Sequence, residues 1–298
     1  MNVNGIRVAE AEPPTHRLPA GARLGPVRLQ VADLTRSIAY YGNVLGLRVL
    51  RQETGHAVLA AHGDDRPLIE LSERPGAAPV PTRGRLGLFH FAMLLPDRAS
   101  FGRFLAHLAA IGVRPGTANH LVSESAYLYD PDRLGIEVYA DRPRASWRRG
   151  KELVMDTLPL DVAAVIVEGS PTPWAGMPAG TVMGHVHLSV DDLARAGAFY
   201  HAGLGLDAMV WSYPGALFLS AGGYHHHLGL NTWARPGATS PGPDEAQLLE
   251  WEIVVPRRAD VEAAARSLEA AGHAVSRTDR GVLAADPWGT KLRVVAAA

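Results

Sequence analysis

Histidine is the residue type in this chain most able to do chemistry, and it is unevenly placed. Three adjacent imidazoles stand in GGYHHHLGLN (222–231), just before a short apolar alternation. Others sit inside strand-like runs: His90 in GLFHFAML, and His185 and His187 two residues apart in GHVHLSV. Glu137 lies in the apolar run GIEVY. The chain has 298 residues and no cysteine, so thiolate nucleophiles, disulfides and cysteine metal sites are excluded. Any metal must be held by His, Asp or Glu. An imidazole titrates near neutral pH and suits proton transfer. A His run can also be a solvated turn, and a lone His or Glu on a strand is commonly structural.

Composition narrows the setting. The net charge is −1, which gives no electrostatic case for nucleic acid or an anionic membrane. Hydrophobic residues are 47% and charged residues 20% of the chain, as in ordinary globular proteins. No uninterrupted apolar run is long enough to span a bilayer, and the first residues lack the apolar segment of a secretory signal. The cytoplasm is the default expectation.

An internal duplication organises these residues. LQVADLTRSIAYYGNVLGL (29–47) lies over LSVDDLARAGAFYHAGLGL (188–206), with ten of nineteen positions identical. LLPDRASFGRFLAHLAAIG (94–112) matches VVPRRADVEAAARSLEAAG (254–272), and DPDRLGIEVY (130–139) matches DPWGTKLRVV (286–295). The offset is roughly 160 residues. Each half divides again. PVRLQV, GLFHFAML, GHVHLSV and LLEWEIVV each open a quarter, followed by a helical pattern and then Gly-marked strands. The expectation is an α+β fold of four β-α-β-β-β modules. Residues 1–24 form a flexible arm, 25–140 modules one and two, 141–182 a linker, and 183–298 modules three and four.

The copies differ where chemistry is at stake. His185 has Pro26 as its counterpart, His90 has Glu250, Glu137 has Arg293, and Tyr127 has Leu283. Polar candidates thus survive in modules two and three. An active cup is expected between those two modules, and a degenerate one between modules one and four.

With DLxxxxxFYxxxLGL (192–206), DPDRLGIEVY (130–139) and GGYHHHLGLN, the chain resembles the vicinal oxygen chelate superfamily of glyoxalases, bleomycin-resistance proteins and dioxygenases. It is most similar to the catechol 2,3-dioxygenase branch. The resemblance covers nearly everything after residue 24. It implies four modules in two half-open mixed-sheet barrels, and a metal held by His185, His90 and Glu137. His187 is the alternative to His185. Two imidazoles and one carboxylate leave three open positions on Fe(II), or on Mn(II) as the alternative ion. The implied function is extradiol cleavage of a catechol-type substrate with O2 to a muconic semialdehyde-type product.

The resemblance also implies roles for other side chains. His226 is the acid–base residue, with Leu228 and Leu230 expected on its face. His227 is the runner-up, because a one-residue slip flips the face. Tyr127 contacts substrate, and His120 assists dioxygen. Asn231, Trp233 and Trp251 line the pocket or pack in the core. A homo-oligomer is compatible with the family, and neither nucleic acid nor membrane is an expected partner. The rivals are a glyoxalase-type metal-dependent isomerase or lyase, disfavoured by the extra histidines, and a metal-free binder of planar drugs.

Overall fold

The computed structural model describes residues 14–149, 152–210, 213–234 and 236–297. The first module runs β1 (Arg23–Val31), α1 (Leu34–Asn43), β2 (Arg48–Glu53), β3 (His56–Ala60) and β4 (Pro67–Glu73). The second is β5 (Gly87–Leu94), α2 (Arg98–Ala110), β6 (Gly116–Asn119), β7 (Ser123–Tyr129) and β8 (Gly135–Asp141). A connecting segment follows, with short strands β9 (Arg148–Arg149) and β10 (Glu152–Leu153) and helix α3 (Val162–Gly169). The third module is β11 (Val182–Ser189), α4 (Leu193–Gly197) running into a π turn at Ala198–Gly203, β12 (Asp207–Val210), β13 (Ala216–Ser220) and β14 (Leu228–Asn231). The fourth is β15 (Gln247–Val255), α5 (Arg258–Ala270), β16 (Val275–Thr278), β17 (Gly281–Ala285) and β18 (Lys291–Ala296).

Local chemistry sets these boundaries. Asp33, Asp97, Asp161 and Asp192 each accept a backbone N–H in the first turn of α1 to α4. Gly46, Gly112, Gly205 and Gly272 follow the four module helices with positive φ, the conformation that lets the chain leave a helix without strain. Four β-α-β-β-β modules in two mixed eight-stranded sheets are the α+β architecture expected from the repeat. In the order β16-β17-β18-β15-β1-β4-β3-β2, one sheet joins modules four and one. In the order β12-β13-β14-β11-β5-β8-β7-β6, the other joins modules three and two. Within every module the first and last strands are parallel, and β1/β15 and β5/β11 meet antiparallel.

Two buried hydrogen bonds tie the modules the other way. Tyr41 of module one donates to Asp130 of module two at 3.1 Å, and Tyr200 of module three to Asp286 of module four at 2.9 Å. Each aspartate also accepts two backbone N–H groups of its own turn. The repeated FY/YY and DP motifs are therefore staples. They bind module one to two and three to four, while the sheets bind one to four and two to three.

Residues 1–13 of the expected arm lie outside the described residues. Leu18 is buried, and its N–H donates to Gly205 O at 2.9 Å. Residues 141–182 are more than a linker. Helix α3 crosses α2 so closely that a Cβ at Gly102 would meet Val165 O at 2.1 Å, and one at Gly169 would meet Arg103 N at 2.5 Å. Trp147 and Leu153 join a small core with Tyr224 and Phe218. Trp251 is fully buried in the main core. Among the described residues no helix is long and apolar enough to cross a membrane.

Candidate active site

The β5/β11 pair carries the site. His187 lies opposite His90, and His185 opposite Ala92, so all three imidazoles share one sheet face. Beside β5, Ala92 pairs with Glu137 and Glu137 with Tyr127, which adds both to that face. Two register shifts refine the pattern. One falls between Met183 and His185, at Gly184. A Cβ there would meet Tyr139 Oη at 1.9 Å, so only glycine fits. The other leaves Phe89 out of the ladder between Leu88 and His90, and its ring turns toward the cavity. A Cβ at Gly229 would meet the His187 ring at 2.8 Å, which explains the glycine in HHHLGLN.

His90, His185 and Glu137 converge. Their Nε2, Nε2 and Oε2 atoms form a triangle with edges of 3.3 Å between the imidazoles, 3.0 Å from His90 to Glu137 and 3.1 Å from His185 to Glu137. All three residues are at most 5% exposed. Adjacent ligands of an octahedral ion with bonds of about 2.1 Å lie about 3 Å apart. The triangle therefore fits a divalent ion, and its N,N,O donor set suits Fe(II) or Mn(II) better than a thiophilic metal. Glu137 Oε1 accepts from Ser125 Oγ at 2.6 Å, which orients the carboxylate. Burial works against the Glu137 charge, but His185 and His90 outweigh it and hold its pKa well below the usual range. Burial lowers His185 to about 4, so its imidazole is neutral and able to ligate at pH 7. His185 is held by ring packing, 5.0 Å from Tyr139 and 4.1 Å from His226 between centroids. His187 is outside the triangle. Its ring packs on Phe89, His90 and Trp233.

The three histidines of GGYHHHLGLN part company. His226 lines the cavity. His227 turns to Ser220 Oγ at 2.9 Å and the Ala221 N–H at 3.2 Å. His225 Nε2 meets Asp141 Oδ1 at 2.9 Å, and its Nδ1 lies 2.8 Å from His226 Nδ1. Leu228 and Leu230 do not share a face with His226 as expected. They pair with Val186 and Leu188 on the core face, while Gly229 sits opposite His187 on the cavity face. His226 reaches the cavity because the backbone bends at His225 and at His227, which breaks the alternation before β14 starts. Burial, then His185 and His225, hold His226 well below 6.5, so it is a neutral base at pH 7.

Beside the triangle, Tyr127 Oη and His120 Nε2 are 2.6 Å apart, and His120 Nδ1 is 2.8 Å from Asp156 O. Burial and Glu137 raise the Tyr127 pKa well above 10, so the phenol keeps its proton as a donor. Thr157, Met155, Tyr213, Phe218 and Trp233 complete a cavity of about 330 Å³. Asn231 is buried away from it, with Oδ1 accepting from Ser189 and the Trp233 N–H. Sequence reasoning missed Ser125, Asp141, Met155 and Thr157. Strand alternation points from Tyr127 to Ser125 and from Glu137 to Asp141; nothing local points to Met155 or Thr157.

In the equivalent place of the other sheet, Arg293 donates two hydrogen bonds to Glu250 at 2.7 and 2.8 Å. A fixed guanidinium thus supplies the positive charge at that place.

This fold and this His/His/Glu face define a class. The model of the Glyoxalase/Bleomycin resistance protein/Dioxygenase superfamily matches residues 23–138 and 182–294, and the chain belongs to that superfamily. Within it, the chain is catechol-2,3-dioxygenase-like. It is 42% identical over 269 residues to "Catechol-2,3-dioxygenase" of Bacillus subtilis (strain 168), covering 89% of this chain and 93% of that protein. The fold is shared with the crystal structure of a presumed dioxygenase from Bacillus subtilis subsp. subtilis str. 168. That likeness has a TM-score of 0.65 at 14% identity and covers 94% and 86% of the two chains. Glyoxalase I from Zea mays is similar in fold at a TM-score of 0.54 and 19% identity, covering 93% and 92%.

Proposed function

We propose that this protein is an Fe(II)-dependent extradiol dioxygenase. It opens a catechol ring beside its two hydroxyls and places both atoms of O2 in a muconic semialdehyde-type product. One observation carries the reading: the ligand triangle of His90, His185 and Glu137 faces the same aromatic-walled cavity as a neutral histidine and a protonated tyrosine.

Iron bound at the triangle supplies electron transfer between ring and dioxygen. The chain's own residues supply geometry and protons. Phe89, Ile136, Phe218 and Trp233 wall the cavity and hold an aromatic ring out of water. His226 takes a proton from a catechol hydroxyl and returns it later. Its Nδ1 is engaged by His225, which leaves Nε2 for the substrate. His120 Nδ1 donates to Asp156 O, so its Nε2 accepts the Tyr127 O–H at rest; with substrate bound, Tyr127 turns that one proton from His120 to an oxygen that gains charge.

Oxygen uptake with catechol under anaerobically reconstituted Fe(II) tests the reading, with the yellow ring-opened product as a second readout. Isomerisation of a thiol adduct under Ni(II) or Zn(II), without oxygen uptake, would instead make the chain a glyoxalase-type enzyme.

A further inference from the structure

A second cavity, of about 410 Å³, adjoins the first and shares Phe89, Tyr129 and Trp233 with it. Its other walls come mainly from residues 80–85 and Arg133. The two differ in character. No Lys or Arg lines the inner cavity, whereas Arg83, Arg85 and Arg133 line the outer one and no Asp or Glu does. Arg85 is committed to Glu245 and Thr239. Neither Arg83 nor Arg133 has an acidic partner among the described residues.

Two features mark this junction as built for a ligand. All three exposed aromatic residues among those described, Phe89, Tyr129 and Trp233, sit there. Arg133 also has φ 67°, a left-handed conformation that strains any side chain. The equivalent turn of module four has Gly289 at φ 90°, where no strain arises. The duplication therefore contains the relaxed solution, and module two keeps an arginine in its place at the cavity rim.

We infer that the substrate is a catechol bearing an apolar substituent that ends in a carboxylate, with its ring in the inner cavity and its anion on Arg83 and Arg133. This rests on the catechol reading above. An anionic group directly on the ring would be desolvated with no cation to pair it in the inner walls. An apolar spacer passes the aromatic rim, and the guanidiniums meet the carboxylate beyond it.

The test is anaerobic equilibrium binding to the Fe(II)-loaded protein of catechols with alkyl chains of increasing length. Each chain ends in a carboxylate or in its methyl ester. Beyond a threshold length the acid should bind roughly three- to tenfold tighter than the ester, and salt should erase the difference. Arg133→Gly, which suits the backbone there, and Arg83→Ala should each lower the acid/ester ratio, and the double variant should bring it to about one. Equal affinities at every length, or a ratio that both variants leave unchanged, would overturn the inference while catechol cleavage stands. A preference lost on substitution in a protein that cleaves no catechol would uphold the anion site and sink the dioxygenase reading instead.

Discussion

His225 Nδ1 lies 2.8 Å from His226 Nδ1, and His225 Nε2 lies 2.9 Å from Asp141 Oδ1. A carboxylate accepts only, so His225 donates from Nε2 and accepts at Nδ1 from His226. That fixes the His226 tautomer with its lone pair on Nε2, on the side of the cavity. His226→Ala should keep its metal and slow turnover on the order of 10²–10⁴-fold. Asp141→Ala should lower kcat about ten- to hundredfold with little change in KM or metal content, and Asp141→Glu should restore part of it. Steady-state kinetics with metal analysis decides. Full activity in Asp141→Ala would remove the relay from the mechanism.

Ligand loss should separate from fold loss. His90→Ala or Glu137→Ala should strip iron, with elemental analysis as the readout and only a modest fall in Tm. Ser125→Ala leaves the triangle but frees Glu137 Oε1, so metal affinity should weaken about tenfold. Stoichiometric iron in Glu137→Ala would place the metal elsewhere.

Acid should destabilise the metal-free protein early. Burial, the main cause in each case, lowers His227 to about 3 and His185 to about 4, and holds His187 and His226 well below 6.5. The unfolded chain binds protons at these sites below about pH 6.5 and the native chain does not. Stability is therefore full above that value and falls as pH drops toward 4, by up to about 1.4 kcal/mol per pH unit for each histidine. The urea midpoint should decline clearly between about pH 7 and 5. A flat midpoint would mean these imidazoles are protonated in the native state.

Breaking the Arg293–Glu250 pair should cost stability without touching the metal. Glu250→Ala leaves a largely buried guanidinium short of its acceptor, and about 2–3 kcal/mol should be lost. Iron content and turnover should stay at the parent level. A change in either would couple the two cups.

By itself the sequence determined the number, order and type of the modules, because helix and strand periodicity and the DP and LGL turns are local signals repeated four times or twice over. The residue types of the His/His/Glu triangle were legible for the same reason: comparing copies exposed positions where a polar group replaces Pro26, Glu250 or Arg293. Only the tertiary structure decided which imidazole of the run faces the cavity. Bends at His225 and His227 override the two-residue strand period, and bends depend on packing rather than pattern. It also decided the outer wall. Met155 and Thr157 come from a connecting segment whose Pro- and Arg-rich composition carries no periodicity, and Asp141, at the end of β8, reaches His225 rather than the cavity. Phe89 reaches the cavity through a bulge that exists only because β5 meets β11 across the chain. Contacts between residues far apart in sequence leave no local trace, and such contacts build most of this site.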